Sequence, residues 1–199
     1  MNKETTHEEK IGNYIIKIYQ DEDTYSPRED CNLGTMICFH RRYNLGDKHD
    51  YKSSDFSSWN EQRKELQKQK PCIILPLYLY DHSGITMNTT GFSCGWDSGQ
   101  VGWIMVTKEK VRKEYDVKYI TQEIREKVKK VLEAEVKVYD QYLTGDVYGY
   151  QVCEVSKCEL GHEHEEEVSS CWGYYGEEEC INDAKRMVEY YSSKEKEVV

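Results

Sequence analysis

The sequence predicts an α+β fold, with a mostly antiparallel sheet packed by one long helix and several shorter helices. Two observations support this class. Several short segments are rich in β-branched and aromatic residues, as strands are, and one long segment carries apolar residues at spacings of three and four, as an amphipathic helix does. The order of these elements favours an α+β arrangement. No repeat or linker divides the 199 residues, so a single domain is predicted over residues 13–192.

The N-terminal part is predicted to contain two strands and a long loop. Residues 1–12 are polar and are expected to be flexible. NYIIKIYQ at residues 13–20 and TMICFH at residues 35–40 have the composition of strands. The polar stretch at residues 41–58 is predicted to be a loop, and loops of this length are uncommon unless they are functional or disordered.

The middle of the chain holds the strongest strand signal. Residues 59–69 predict a short charged helix that ends before Pro71. Residues 72–80 are apolar at nearly every position, which indicates a central strand, and residues 101–106 are its expected partner. Thr107 is expected to cap a short helix that follows this second strand.

The C-terminal part is predicted to run from helix to hairpin to helix. Residues 121–143 carry the clearest helical pattern, with an apolar stripe along one face. Strands at residues 146–154 and 167–173 are expected to pair as a hairpin. A last helix is predicted over residues 177–191, and the tail at residues 193–199 is expected to be flexible.

The composition disfavours a protein that binds nucleic acid directly. The formal net charge is −10, and 32% of the residues are charged, whereas nucleic-acid-binding domains are usually basic. An acidic surface suits a basic partner, or competition with nucleic acid for a basic groove. The 17 tyrosines add side chains that are common at protein interfaces. We therefore expect a protein partner and no direct binding to DNA.

The sequence also predicts the cellular compartment in which the protein is found. No apolar run reaches the roughly 20 residues that span a bilayer, and MNKETTHEEK lacks the apolar region of a secretory signal. We therefore expect no membrane contact and a cytoplasmic location. In such a reducing compartment the eight cysteines are expected to bind metal or to be buried, rather than to form disulfides.

The first candidate site is a structural zinc site in the predicted hairpin at residues 146–175. Cysteine and histidine are the ligands that zinc prefers, and CEVSKCELGHEHEEEVSSC holds several of them within a short stretch. The spacing is not that of a paired C-x-x-C motif, so an acidic turn with incidental histidines remains the alternative. The candidate ligands are Cys153, Cys158, His162 and His164, with Cys171 as a replacement for Cys153 if the hairpin brings it opposite.

The second candidate site lies where the strongest strand ends. Histidine and carboxylate side chains can hold a catalytic divalent metal or act as an acid–base pair. The candidate residues are Asp81, His82 and Asp97, with Asp47 and His49 from a separate loop. The alternative is ordinary turn chemistry, because Asp-Ser-Gly is a common turn sequence. A nucleophilic Cys94 paired with His82 is a weaker interpretation, since no nucleophile motif surrounds it.

Five segments of the chain are NLGTMICFHRRYNLGDKHDY, LPLYLYDHSGITM, WDSGQVGWIMVTKEKVRKEY, YDQYLTGDVYGYQV and SCWGYYG. In these segments the chain resembles a family of small proteins encoded by phages and mobile elements. The resemblance spans roughly residues 28–175. It implies an accessory phage protein made inside a bacterial cell, and it implies no catalytic residues. Such proteins are often antagonists of host defence, and some are acidic or zinc-binding inhibitors of RNA-guided CRISPR nucleases.

Three hypotheses follow from the sequence. The leading one is a non-enzymatic, zinc-containing phage protein of the anti-CRISPR type, which binds and inhibits a bacterial defence nuclease. The second is a metal-dependent hydrolase that acts on nucleic acid or a nucleotide. The third is a phage regulatory or structural adaptor that binds no metal.

Overall fold

The described part of the chain, residues 4–197 in a computed structural model, contains eight strands and four α-helices. The strands are β1 (Thr5–Ile11), β2 (Tyr14–Gln20), β3 (Thr35–Cys38), β4 (Pro71–Asp81), β5 (Ile85–Asn88), β6 (Ser98–Thr107), β7 (Val147–Lys157) and β8 (Glu163–Tyr175). The helices are α1 (Trp59–Gln67), α2 (Lys108–Glu114), α3 (Gln122–Thr144) and α4 (Glu177–Glu197). Two short 3-10 helices occupy Pro27–Glu29 and Ser53–Asp55.

The chain divides into two compact units. The central unit is Ser26–Thr144, and the terminal unit combines Met1–Tyr25 with Gly145–Val199. Each unit contains one four-stranded sheet, and every strand pair in both sheets is antiparallel. The predicted α+β class with antiparallel pairing is therefore confirmed. The single domain predicted over residues 13–192 stays a prediction, although its contacts fall into two groups.

The central unit is built on the apolar run of β4. Its sheet has the order β3-β6-β4-β5, and β6 pairs along most of β4, with Leu75 opposite Ile104. Helix α3 packs on this sheet through four buried side chains: Val128, Leu132, Val136 and Tyr139. Val128, Leu132 and Tyr139 belong to the apolar stripe that the sequence predicted, and Val136 extends it at the same spacing of three and four residues. Each such burial contributes about 1.5–3 kcal/mol, so this face of α3 holds the unit together.

The terminal unit packs one helix on one sheet. Its sheet has the order β1-β2-β7-β8. One face buries Ile16, Ile18 and Val152, and α4 covers that face with Ala184 and Val188. Strands β1 and β8 form the two edges, and most residues of β8 are exposed.

The structure has regular secondary structure at both ends of the chain, where flexible segments were predicted. Residues 5–11 form β1 and pair with β2. Their burial alternates along the strand, which is the pattern of an edge strand whose sequence looks polar. At the other end, α4 continues through residue 197, so most of the predicted flexible tail at residues 193–199 is helical. Residues 198 and 199 lie outside the described residues.

One further strand was not predicted. Residues 85–88 form β5, which pairs with the end of β4 after a tight turn. Ser83 has a φ of 58° in that turn. Within residues 4–197, no helix is long and apolar enough to cross a membrane.

Candidate functional site

The predicted acid–base residues meet at one end of the central sheet. Asp81 is the last residue of β4, and its N–H donates to the carbonyl of Asp97, at 2.8 Å, just before β6 begins. The Nδ1 atom of His82 lies 3.3 Å from the Asp97 carboxylate. The convergence of Asp81, His82 and Asp97 follows from antiparallel pairing, because the end of one strand adjoins the start of the next. These three residues are called the sheet-end cluster below.

The carboxylate of Asp81 already has a partner. Arg42 forms a charged hydrogen bond with it, and the Nε2 atom of His40 lies 3.8 Å away. His40 accepts backbone N–H groups from Arg42 and Tyr43 at its Nδ1 atom, both at 3.2 Å. Burial lowers the pKa of His40, although Asp81 opposes part of that shift. His40 is therefore a neutral imidazole whose remaining proton, on Nε2, is on the side of Asp81.

Cys94 contacts the cluster through a carboxylate and not through a histidine. Its Sγ atom lies 3.9 Å from the Asp97 carboxylate, so Asp97 contacts both Cys94 and His82. Within residues 4–197 no hydrogen bond joins Cys94 to His82. The Cys–His pair that a nucleophilic mechanism requires is not formed in this arrangement.

His49 belongs to a different part of the central unit. Its Nε2 atom donates to the carbonyl of Cys38 at 2.9 Å, and its ring packs 5.0 Å from Phe39. Its Nδ1 atom is buried without a hydrogen-bond partner in the described structure. In residues 4–197 no hydrogen bond, ion pair or ring contact joins His49 to the sheet-end cluster, so the cluster of Asp81, His82 and Asp97 is considered without His49 below.

Asp47, which the sequence placed beside His49, has a structural role. Arg28 donates two hydrogen bonds to the Asp47 carboxylate, both at 2.8 Å, and one to Glu135 at 3.0 Å. The Arg28 side chain is only 4% exposed. Asp47 also accepts the N–H of Met36 at 2.8 Å. This network, called the Arg28 network below, ties the loop after β3 to α3.

The predicted zinc ligands are spread along the hairpin of β7 and β8. Cys158 and His162 meet at its turn, where the Cys158 N–H donates to the His162 carbonyl at 3.0 Å. His164 pairs with Ser156, three residues from Cys153 along β7, which corresponds to about 10 Å. Burial also raises the pKa of the Cys153 thiol, which disfavours the thiolate that zinc binds.

Cys171 is farther still from the turn. It pairs with Tyr150, seven residues along β8 from His164, or about 23 Å. Glu167 lies opposite Cys153 and Cys171 lies opposite Tyr150, so the register does not bring Cys171 beside the other candidate ligands as a replacement for Cys153. No three Cys, His, Asp or Glu side chains of residues 4–197 form a group that could hold a metal ion. Only Cys158, His162 and His164 are near one another in sequence and register.

The net negative charge lies in one unit. Residues 1–25 and 145–199 hold 20 acidic against 8 basic side chains, a net charge of −12. Residues 26–144 hold 17 acidic against 19 basic side chains, a net charge of +2. In the terminal unit the exposed half of β8, Glu163–Glu167, presents four glutamates. Glu159, Glu166 and Glu178 make no ion pair in the described residues.

Sequence reasoning missed the Arg28 network and His40. Arg28 and Glu135 are 107 residues apart, and no local pattern links them. His40 could have been found, because it is the last residue of a predicted strand and so lies near a strand end, as His82 does. Comparison of the chain with known protein families, with characterised proteins and with solved structures found no significant match.

Proposed function

We propose that this chain is a phage-encoded, non-enzymatic protein that binds and inhibits a bacterial defence nuclease. The observation that supports this proposal is the separation of charge, because the terminal unit holds 20 acidic against 8 basic side chains. Nucleases of this kind bind nucleic acid in basic channels. A surface of opposite sign speeds association with such a channel and excludes the nucleic acid from it.

The glutamates of β8 and its turn, together with Glu178 in the first turn of α4, are the proposed contact. Lysines offset some of them, since Lys17 bonds Glu165 and Lys157 lies 3.4 Å from Glu163. Glu159, Glu166 and Glu178 have no such partner in the described residues, so their charge is available to a basic partner. Their side chains are exposed, and exposed charges act mainly on the rate of association and its salt dependence.

Phage or plasmid survival in cells that carry a CRISPR nuclease tests the proposal. We expect the wild-type chain to rescue survival against at least one nuclease type. The triple variant Glu159→Gln, Glu166→Gln and Glu178→Gln should rescue less well. The matched control neutralises three exposed acids of the central unit, in Asp50→Asn, Glu109→Gln and Glu114→Gln, and should rescue like the wild type. Failure to rescue against several nuclease types, or equal loss in both triple variants, would contradict the proposal.

A metal-dependent hydrolase of nucleic acid or nucleotides is the second candidate. The convergence of Asp81, His82 and Asp97 supports it, although the Asp81 carboxylate already accepts a hydrogen bond from Arg42. His82 is 62% exposed at its side chain, so His82→Ala should fold normally. This candidate predicts Mg²⁺- or Mn²⁺-dependent cleavage of DNA, RNA or nucleotides that His82→Ala abolishes. An activity that survives this substitution would assign the reaction elsewhere.

Zinc remains a proposal with a test of its own. The residues that could contribute are Cys158, His162 and His164 at the turn, and a fourth ligand would have to come from a partner or from water. Metal analysis of protein purified without chelators should find one zinc per chain, and Cys158→Ser should remove it. Zinc-free protein of normal stability would contradict the proposal and would leave the binding function untouched.

A further inference from the structure

A cavity of about 590 Å³ lies beside the loop that follows β3. The loop leaves the sheet at Cys38 and returns past Tyr51, and residues 38–53 supply the lining. This volume is within the range of about 300–1,000 Å³ that small-molecule sites occupy. The space is called the loop cavity below. None of its lining residues belongs to the acidic surface or to the sheet-end cluster, although His49 and Asp47, which the sequence suggested as helpers of the hydrolase site, do line it.

The wall of the loop cavity is already fixed by hydrogen bonds. The Asp47 N–H donates to the Met36 carbonyl, and the Gly46 N–H donates to the Tyr139 hydroxyl, each at 2.9 Å. Gly46 has a φ of 71°, and a Cβ there would lie 2.8 Å from the Met36 oxygen, so this position requires glycine. The Arg28 network holds Asp47 from the other side. A wall held in this way needs little reorganisation when a ligand binds.

The available charge in the loop cavity is positive. Arg41 and Lys48 line it, and neither makes an ion pair or a hydrogen bond in the described residues. Asp47 is the only carboxylate of the lining, and Arg28 and the Met36 N–H already occupy it. Both side chains are exposed, and both belong to the central unit, whose net charge is +2. They are suited to an anion, because guanidinium and ammonium groups form charge-assisted hydrogen bonds with phosphate.

Aromatic rings supply part of the wall. Tyr43 stacks on His40 with ring centroids 5.0 Å apart and planes 14° from parallel. Phe39 and Tyr51 also line the cavity. Flat aromatic surfaces are places where nucleobases stack, with about 1–3 kcal/mol for each base. We propose that the loop cavity binds a mononucleotide, with the phosphate held by Arg41 and Lys48 and the base against the aromatic wall.

Calorimetric titration of the full chain with AMP, GMP, CMP and UMP tests this proposal. We expect at least one of them to bind saturably at one site per chain, more tightly than inorganic phosphate or adenosine alone. The variant Arg41→Gln with Lys48→Gln should weaken binding at least about tenfold, the effect of losing about 1.4 kcal/mol. Tyr43→Ala should weaken binding of the nucleotide more than binding of phosphate. Lys113→Gln, a matched change at an exposed lysine of α2, should leave the affinity unchanged.

Three results would overturn the proposal. The first is no saturable binding of any of the four nucleotides at concentrations up to about 1 mM. The second is binding that the double substitution at Arg41 and Lys48 leaves unchanged while the variant stays folded by circular dichroism. The third is equal affinity for inorganic phosphate and for the nucleotides, which would show a simple anion site. None of these results affects the survival assay, so the two proposals fail independently.

Discussion

The two units of the chain use their carboxylates differently. In the central unit, Asp47 and Glu135 are turned inward and accept hydrogen bonds from a buried arginine and from backbone N–H groups. In the terminal unit, the glutamates of β8 are exposed, and several have no cationic partner in residues 4–197. A carboxylate of the first kind stabilises the fold, whereas one of the second kind is available to a partner. Composition alone does not distinguish these uses.

The largest expected effect comes from breaking the Arg28 network. Arg28→Met leaves the carboxylates of Asp47 and Glu135 partly buried without their cation. Loss of one partner of a buried ion pair costs about 3–5 kcal/mol, so the free energy of unfolding should fall by that amount. Denaturant titration followed by tryptophan fluorescence measures it, because Trp59, Trp96 and Trp103 all lie in the central unit.

The control for this change is another arginine of the same unit. Arg41 makes no ion pair in the described residues and is exposed, so Arg41→Met should change the free energy of unfolding by less than about 0.5 kcal/mol. A similar loss in both variants would show that the Arg28 network is not what stabilises the central unit.

The second-largest effect is expected from alanine substitutions at two tightly packed glycines, one in each sheet. A Cβ at Gly102 would lie 2.2 Å from the backbone oxygen of Ile37, whereas a Cβ at Gly149 would lie 2.1 Å from the ring of Trp172. Backbone cannot move aside without breaking the β3–β6 ladder, but a ring that is 39% exposed can shift. We expect Gly102→Ala to cost about 3 kcal/mol and Gly149→Ala about 1 kcal/mol. Thermal unfolding of the two variants measures the difference, and equal costs would contradict this explanation.

The third effect concerns Asp183, a carboxylate of the terminal unit that accepts side-chain hydrogen bonds. Asp183 on α4 accepts hydrogen bonds from Tyr174 and from Arg186, and these lower its pKa. A lowered pKa in the folded state gives stability that is present above the ordinary value of 3.8 and is lost as the pH falls through the folded value. Asp183→Asn should therefore cost about 1 kcal/mol at pH 7.

The pH dependence provides the check for Asp183. The difference in the free energy of unfolding between the wild type and Asp183→Asn should shrink as the pH is lowered below about 4, because the wild-type carboxylate becomes protonated. Denaturant titrations at neutral and at acid pH measure it. A difference that is the same at both values would mean that the charge of Asp183 contributes nothing.

The smallest effect is expected at the exposed glutamates. The triple variant Glu159→Gln, Glu166→Gln and Glu178→Gln should change the free energy of unfolding by less than about 0.5 kcal/mol per site. Any change should be stabilising at low salt, since the terminal unit carries a net charge of −12 and its like charges repel. Melting curves at two salt concentrations measure this. Marked destabilisation would show that these side chains support the fold.

Most secondary structure could be predicted because it depends on local patterns. The apolar run of β4 and the apolar stripe on α3 are both visible in the sequence. Apolar residues that recur at the spacing of a strand or a helix are the residues that the fold buries. Strand β1 was missed because an edge strand buries only alternate residues, so THEEK looks like a polar tail. Strand β5 was missed because it has only four residues. It is held in place by its pairing with β4, which no local pattern shows.

The candidate sites could also be predicted only where they depend on local sequence patterns. Asp81, His82 and Asp97 could be placed together because all three flank the ends of strands that were predicted to pair. The position of Cys171 could not be predicted, because the register of β7 against β8 shifts at two irregular places, near Tyr148 and near Val152. The Arg28 network depends on the packing of α3 against distant loops, which no local pattern encodes.

The exposed edge of β8 has a consequence for the behaviour of the chain in solution. Thirteen residues long, this strand presents unpaired backbone groups that could hydrogen-bond to the same strand of another copy, and its glutamates oppose such stacking through repulsion. The net charge of the chain falls to zero at the sequence pI of 5.2, which weakens the repulsion between copies. Solubility should therefore fall as the pH approaches that value, and the growing aggregates should be rich in β-structure contributed by β8.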